Sequence, residues 1–300
     1  MTTLEKALMK IKGMILDVDG VIIGEKIGFN SPYPHNKVVK ALKDIRAKGI
    51  FISLCTAKPY FAIEKIIRDA DLKNFHITDG GGVIIDIIDN SLLKASYIEP
   101  EIAGKVLSAY LRSGVYVEFY TVDKYFIQKS QESSITPKHA HVLQREPVKV
   151  NSLIEAAAEN KITKIMPIAI NEEDKKNVTK IFEPFKEDLI LSWGIHPIIL
   201  PLQFGIITAK GISKKSAAQD IIKHSKVSFQ NILGVGDTGS DWQFISLCKY
   251  AAAMGNAKEE LKELVLTKGE KHSFIGPSVD ENGILDIFKH FGLIEKGLNP

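Results

Sequence analysis

Cysteine is scarce in this 300-residue chain, which has only Cys55 and Cys248, both in apolar surroundings. Two cysteines do not make a disulfide scaffold at this size, so a reducing, cytoplasmic setting is expected. Long apolar runs are missing as well. The most apolar late stretch, 189–207, is broken by Trp193-Gly194, His196-Pro197, Pro201 and Gly205, and it reads as short strands with no membrane span. The opening residues 1–12 carry Glu5, Lys6, Lys10 and Lys12, which leaves no uninterrupted core of the signal-peptide kind. Nor does one sign of charge dominate, with 39 Lys and Arg against 36 Asp and Glu and a net charge of +3 at pH 7. There is no dense basic run, so no nucleic-acid partner is expected. Scattered lysines among acids read as solvated helix faces. Internal repeats and low-complexity tracts are absent.

What is present suits a soluble globular protein: 45% apolar and 25% charged residues. A chain this long exceeds the usual single core, so two domains are expected. Residues 14–16 form a short apolar run ending in Asp17. A helical pattern over 36–48 places Val38, Val39, Leu42 and Ile45 on one face and stops at Gly49. Residues 50–55 are apolar apart from Ser53 and end at Thr56. Pro59 opens another helix, and 75–77 reads as a third strand closed by Asp79 and Gly80-Gly81-Gly82. The pattern returns late, with a helix over 214–224, a strand over 232–235 ending in Gly236-Asp237, a helix over 240–247, a strand over 250–253 and a last helix over 284–291. Apolar strands alternating with helices predict a parallel sheet covered on both faces.

The middle differs. Strands are expected at 116–120, 125–128, 165–170 and 189–193, helices at 153–158 and 172–185, and a polar loop rich in Lys and His after the second strand. Val117 and Phe119 alternate with polar positions, which suits an antiparallel sheet open on one face. The reading is an α/β core, residues 1–97 and 204–300, interrupted by an α+β insert, residues 98–203.

In open parallel sheets, ligands bind beyond the carboxyl ends of the strands. Three strands here end in polar groups: Asp17-Val18-Asp19-Gly20, Thr56, and Gly236-Asp237 with Asp241 one turn on. Singly, each has a plain reading as a turn or a helix cap. Together they gather four carboxylates at one edge, where they would repel and raise one another's pKa. A cation resolves that conflict, and an all-oxygen set without a His or Cys cluster favours Mg²⁺ over zinc. A phosphate suits the same edge. Thr56 supplies a hydroxyl, Ala57 and Lys58 supply N–H groups at an expected helix start, and Lys214 supplies charge, with Lys210 and Lys215 as competitors.

The segments ILDVDG (15–20), SLCT (53–56), GISK (211–214) and GVGDTGSD (234–241) resemble, in order, the four motifs of the haloacid dehalogenase superfamily. MGNA (254–257) and DENGILDIF (280–288) are similar to further signatures of that family. The resemblance implies a Rossmann-like core in which Asp17 attacks phosphorus and Asp19 protonates the leaving oxygen, then activates water. It also implies Mg²⁺ held by the Asp17 carboxylate, the Asp19 carbonyl and Asp237, with Asp241 directly or through water. Thr56 and Ala57 would hold phosphoryl oxygens and Lys214 would neutralise them. Asp19 favours phosphate esters, because an alkoxide leaving group needs protonation and a halide does not. Three departures stand out. Ser240 stands where Asn is usual, Lys215 replaces a usual Gly, and Ala57-Lys58 replaces Gly-Arg or Gly-Asn.

The insert lies after the second motif, an arrangement resembling the branch that contains Cof-like sugar phosphatases, phosphomannomutase and archaeal phosphoglycolate phosphatase. The implied activity is hydrolysis of a small phosphate ester by a monomer or homodimer. A phosphomutase is the alternative and a non-catalytic binding protein a weaker one. In the insert, residues 138–145 (KHAHVLQR) are the densest set of donors. His139 and His141 would share one side of a strand, and with His196 they are candidate substrate contacts. The plain reading is a solvated loop and a packed His196.

Overall fold

The computed structural model describes residues 11–295. The opening segment 1–10, whose charges argued against a signal peptide, lies outside the described residues. The chain folds into two compact units. One takes in the described residues up to Ala57, Glu64–Leu93 and the described residues from Ser213 onward, and the other takes in Lys58–Ile63 and Lys94–Ile212.

The first unit is built on a five-stranded parallel sheet in the order Ser273–Ile275, Tyr250–Ala253, Ile232–Gly236, Gly13–Leu16, Phe51–Leu54. The two central strands are buried along their whole length, which is why they read as continuous apolar runs. Their register sets the edge that matters. Leu16 pairs with Val235 on one side and with Leu54 on the other, so Asp17, Asp237 and the Cys55-Thr56 step leave the sheet together. Helix Asn36–Ala47 buries Val38, Ala41, Leu42 and Ile45 and is capped by the His35 ring, which accepts from the Lys37 N–H. Gly49, at φ +82°, turns the chain into the next strand.

The third strand departs from the expected parallel ladder. His76–Thr78 meets the sheet through a single parallel bridge, Cys55 to Ile77, and pairs antiparallel with Val83–Asp86. The cause is local. The Leu54 N–H goes to His76 Nδ1 at 3.1 Å, so an imidazole stands where a ladder would place a carbonyl. Strand Ser273–Ile275, only three residues long, was not expected.

The second unit carries a six-stranded sheet in the order Leu189–Ile195, Gln203–Ala209, Lys164–Ala169, Tyr116–Tyr120, Tyr125–Gln128, Val148–Val150. Its pairs are antiparallel except the last, which is parallel. Strand Gln203–Ala209 pairs within this sheet, so the second unit runs past residue 203, where the insert was expected to end. Helices Pro100–Arg112, Leu153–Ala158 and Glu172–Phe182 cover one face through Leu107, Tyr110, Leu153, Val178 and Phe182.

The other face differs from the expected open one. Tyr116–Tyr120 is buried at every position, Glu118 included. The region read as a polar loop is in fact helix Ile135–Leu143, whose Val142 and Leu143 join the aromatic cluster of Tyr116, Tyr120, Tyr125 and Phe204. Pro137 is tolerated because it lies in the first helical turn, where its missing N–H costs no bond. Among the described residues, no helix is long and apolar enough to cross a membrane.

Candidate active site

Asp17 follows the buried strand Gly13–Leu16 and is nearly buried itself, its N–H donating to the Val235 carbonyl at 3.0 Å. Lys214 opens helix Lys214–Ser225 behind Ser213, whose hydroxyl accepts from the Ser216 N–H. Its ammonium lies 2.7 Å from Asp17 Oδ1 and 2.6 Å from Asp241 Oδ1. Of the three competing lysines, Lys214 alone joins these carboxylates; Lys215 is exposed and Lys210 lies 3.8 Å from Glu187.

Asp241 is fully buried, and both its oxygens are engaged. Oδ1 takes Lys214, while Oδ2 accepts from the Asp237 N–H at 3.1 Å, the Thr238 N–H at 3.0 Å and the Thr238 hydroxyl at 3.1 Å. This closes a capping box on the turn Gly239–Asp241. Ser240, the departure from the family pattern, is exposed and shares a hydrogen bond with Thr238 at 2.8 Å.

Oxygens of Asp17, Asp237 and Asp241 lie within 4.8 Å of one another. Three carboxylates against one ammonium leave the cluster short of positive charge. Burial first, and then Asp241, push Asp17 well above the usual carboxylate range, against the pull of Lys214. The same two causes push Asp237 up to about 7. Burial works against the charge on Lys214 and is overcome by Asp17 and Asp241, which hold its pKa well above 10.5. Asp237 Oδ1 is buried and has no hydrogen-bond partner. A hard divalent cation fits this donor set. It would satisfy that oxygen and relieve the repulsion that raises both carboxylates.

Thr56 is buried, its N–H donating to the Ile77 carbonyl and its own carbonyl accepting from Gly80, both at 3.0 Å. Ala57 is half-buried and sits in a bend, not at a helix start. The nearest helical turn begins only at Tyr60, because Pro59 caps it from an extended conformation. The anion-binding helix N-terminus expected at Ala57 and Lys58 is therefore not formed.

Several residues that shape the site were not singled out by sequence reasoning. Gly20, at φ +78°, backs onto Asp237, and Gly236 backs onto Asp241, where an added Cβ would sit 2.4 Å from the Asp241 Cβ. Gly81, at φ +107°, lies against Ser213, where an added Cβ would be 2.4 Å from its carbonyl oxygen, directly before Lys214. The motif-like spacing of Gly-Asp and Gly-Gly-Gly was visible, but the opposing partners were not. Asn256 and Asp280 belong here too; the MGNA and DENG segments marked them without assigning a role.

In the second unit, the candidate histidines are not gathered into one site. His139 is buried in helix Ile135–Leu143 with Nδ1 3.0 Å from Glu118 Oε2, while His141 is exposed. They share no face, because two residues turn a helix by about 200°. His196 is half-buried and directly precedes the turn Pro197–Ile199, with no side-chain capping hydrogen bond to it.

The profile of the haloacid dehalogenase-like hydrolases matches residues 14–288. Among curated proteins, the chain is 24% identical over 297 residues to 5-amino-6-(5-phospho-D-ribitylamino)uracil phosphatase YwtE of Bacillus subtilis, covering 91% of this chain and 96% of that one. Among solved structures, a haloacid dehalogenase-like hydrolase from Bacteroides thetaiotaomicron superposes with a TM-score of 0.80 at 16% identity, over 94% of this chain and 99% of that one. A subclass IIB sugar phosphatase of the same superfamily superposes with a TM-score of 0.73 at 24% identity, over 94% of this chain and 100% of that one. At these identities the structural likenesses carry the fold.

Proposed function

The chain belongs to the haloacid dehalogenase-like hydrolases, and from that premise we propose that it is a Mg²⁺-dependent phosphomonoesterase working through an aspartyl-phosphate. One observation carries the reading. Lys214 bridges Asp17 and Asp241 while Asp237 Oδ1 stays buried without a partner. Three carboxylates against one ammonium leave a deficit of two positive charges, which one divalent cation would close, and the cation with Lys214 would draw a phosphate to the same edge.

Asp17 attacks phosphorus, the P–O bond to the leaving group breaks, and Asp19 gives its proton to the departing alkoxide. Asp19 then takes a proton from water, the hydroxide attacks phosphorus, and the bond to the Asp17 oxygen breaks to release inorganic phosphate. Lys214 neutralises Asp17 and the incoming phosphoryl oxygens, and Thr56 holds those oxygens. Asp241, with both oxygens engaged, fixes Lys214 and the Asp237 turn in place. Asp17 and Asp237, with the Asp19 carbonyl, would hold Mg²⁺, and Asp241 would back them. When bound, Mg²⁺ supplies positive charge that stabilises the phosphoryl group in transfer. Positioning and charge neutralisation are most of what phosphoryl transfer asks of a protein.

The substrate proposed is a small phosphorylated metabolite, a sugar phosphate or a phosphoglycolate-like ester. A sugar phosphatase and a phosphatase of a phosphoribityl compound among the relatives favour a polyhydroxylated carbon chain. The test is inorganic phosphate release across a panel of phosphorylated metabolites with and without Mg²⁺. A panel that yields no phosphate overturns the reading, and turnover confined to bisphosphorylated sugars transfers it to a mutase.

A further inference from the structure

The loop 19–30 leaves the strand of Asp17 carrying the proposed acid–base group Asp19. Within itself it is a tight turn, with Ile22 and Ile23 N–H both donating to the Val18 carbonyl at 2.9 Å. Its two ends are held by residues far later in the chain. At one end the Gly20 carbonyl accepts from Asn256 Nδ2 at 3.0 Å. At the other, Asp280 Oδ1 accepts from the Glu25 N–H and from Asn30 Nδ2, both at 3.0 Å, and the Asp280 carbonyl accepts from Lys26 Nζ at 2.9 Å. Asn30 is buried and also donates to the Val279 carbonyl at 3.0 Å.

The two anchors are joined. Asn256 Oδ1 accepts from the Val279 N–H at 2.8 Å, one residue before Asp280, and the Gly255 N–H donates to the Pro277 carbonyl at 2.9 Å. The amide orientation of Asn256 follows from its partners, since Val279 N–H can only donate and the Gly20 carbonyl can only accept. An ionised Asp has no donor to offer the Gly20 carbonyl. Glycines stand at two points of close contact. A Cβ on Gly20 would lie 2.0 Å from Asp237 Oδ2, and one on Gly24 would lie 2.2 Å from Asp280 Oδ1.

We propose that Asn256 and Asp280 are positioning residues for Asp19: through hydrogen bonds at both ends of loop 19–30 they hold the acid–base group in register with Asp237. Neither touches the reacting atoms, and the inference rests on the phosphomonoesterase reading.

The experiment measures kcat/KM with Mg²⁺ on phenyl phosphates whose leaving groups run from phenol to 2,4-dinitrophenol. This parameter reads the steps through departure of the leaving group and is blind to later hydrolysis of the phospho-enzyme. Phenolate needs the proton from Asp19; dinitrophenolate does not. Asn256→Asp keeps the acceptor for Val279 and turns an oxygen toward the Gly20 carbonyl. It is expected to lose about tenfold or more on phenyl phosphate and under about threefold on 2,4-dinitrophenyl phosphate, part of the 10²–10⁴-fold that general acid catalysis supplies. Asp19→Asn should show the same pattern more strongly. Asp280→Ala, acting from the other end, should show it more weakly, and it carries the test if Asn256→Asp does not fold. Equal losses across the series, or none, overturn the positioning role alone. A wild type that cleaves none of the series overturns the phosphomonoesterase reading and this inference with it.

Discussion

Gly20 and Asp237 touch so closely that a Cβ on Gly20 would lie 2.0 Å from Asp237 Oδ2. The turn after Asp17 and the turn within the fourth motif are thus packed backbone against carboxylate. Gly20→Ala would add left-handed strain of about 1–2 kcal/mol and push Asp237 aside. Displacing a catalytic group by an ångström can cost about 10² in rate. The expected outcome is a fall in kcat/KM of about 100-fold with a folded protein by circular dichroism. Near-normal turnover would mean that the Asp237 position does not matter.

Asp17→Asn should abolish phosphate release. The fold should survive, because the substitution removes a carboxylate that burial already disfavours and leaves Lys214 its 2.6 Å contact with Asp241. Turnover close to wild type would exclude Asp17 as the nucleophile.

The site and its surroundings were unequally legible from sequence. Asp17, Thr56, Lys214, Asp237 and Asp241 could be placed together because each ends a strand or opens a helix, and a parallel sheet brings such ends to one edge. Gly81 and Asn256 could not be given roles, because their partners Ser213 and Gly20 lie far away in sequence and only packing joins them. Helix Ile135–Leu143 was read as a loop because KHAH is polar and Thr136-Pro137 reads as a breaker. Its apolar face is completed by the Tyr116, Tyr120 and Tyr125 cluster, not by its own periodicity. Glu118 looked like a solvent-side position for the same reason, being polar in a strand whose second face is covered by later residues.

Mg²⁺ should stabilise the protein in a pH-dependent way. Its ligands must be ionised, and Asp237, at about 7 in the metal-free protein, is protonated below that pH. Without metal, a carboxylate raised from 3.8 to about 7 favours folding at low pH, and that contribution is lost as pH rises through 7. Added Mg²⁺ reverses the loss by about 2.7 kcal/mol at a hundred times its Kd. Thermal unfolding with MgCl₂ or with EDTA should therefore differ clearly at pH 8 and hardly at pH 5. Asp237→Asn should erase the difference. An equal effect of Mg²⁺ at both pH values would place the ion elsewhere.

His76 gives stability the opposite slope. Its ring is buried between the Leu54 N–H and the Leu72 carbonyl, and burial holds its pKa down at about 4 against an ordinary 6.5. Between those values the unfolded chain takes a proton that the folded chain refuses. Stability present above pH 6.5 is lost as pH falls toward 4, by about 3 kcal/mol in all. His76→Gln should be less stable than wild type at pH 7 yet lose less on going to pH 5, read by urea unfolding. Parallel losses in the two proteins would remove His76 from the account.

The candidate histidines of the second unit should separate cleanly by mutation. His139 Nδ1 lies 3.0 Å from Glu118 Oε2, and Glu118, fully buried, also accepts from the Tyr120 hydroxyl at 2.7 Å. The nearby ammonium of Lys164 stands 4.3 Å from the Tyr120 ring centre. His139→Ala would strip one partner from a carboxylate set among aromatic rings, at a cost of about 3 kcal/mol. His141 is exposed on the opposite face of the helix, and His141→Ala should stay within about 0.5 kcal/mol. Adding Glu118→Gln to His139→Ala should recover part of the loss, and a double-mutant cycle should return a coupling above about 1 kcal/mol. The same variants test a substrate role. Were His141 a substrate contact, His141→Ala would raise KM for the metabolite found by the phosphate-release panel and leave hydrolysis of an aryl phosphate unchanged. Were His139 only a structural partner of Glu118, His139→Ala would lower thermal stability and affect both substrates alike.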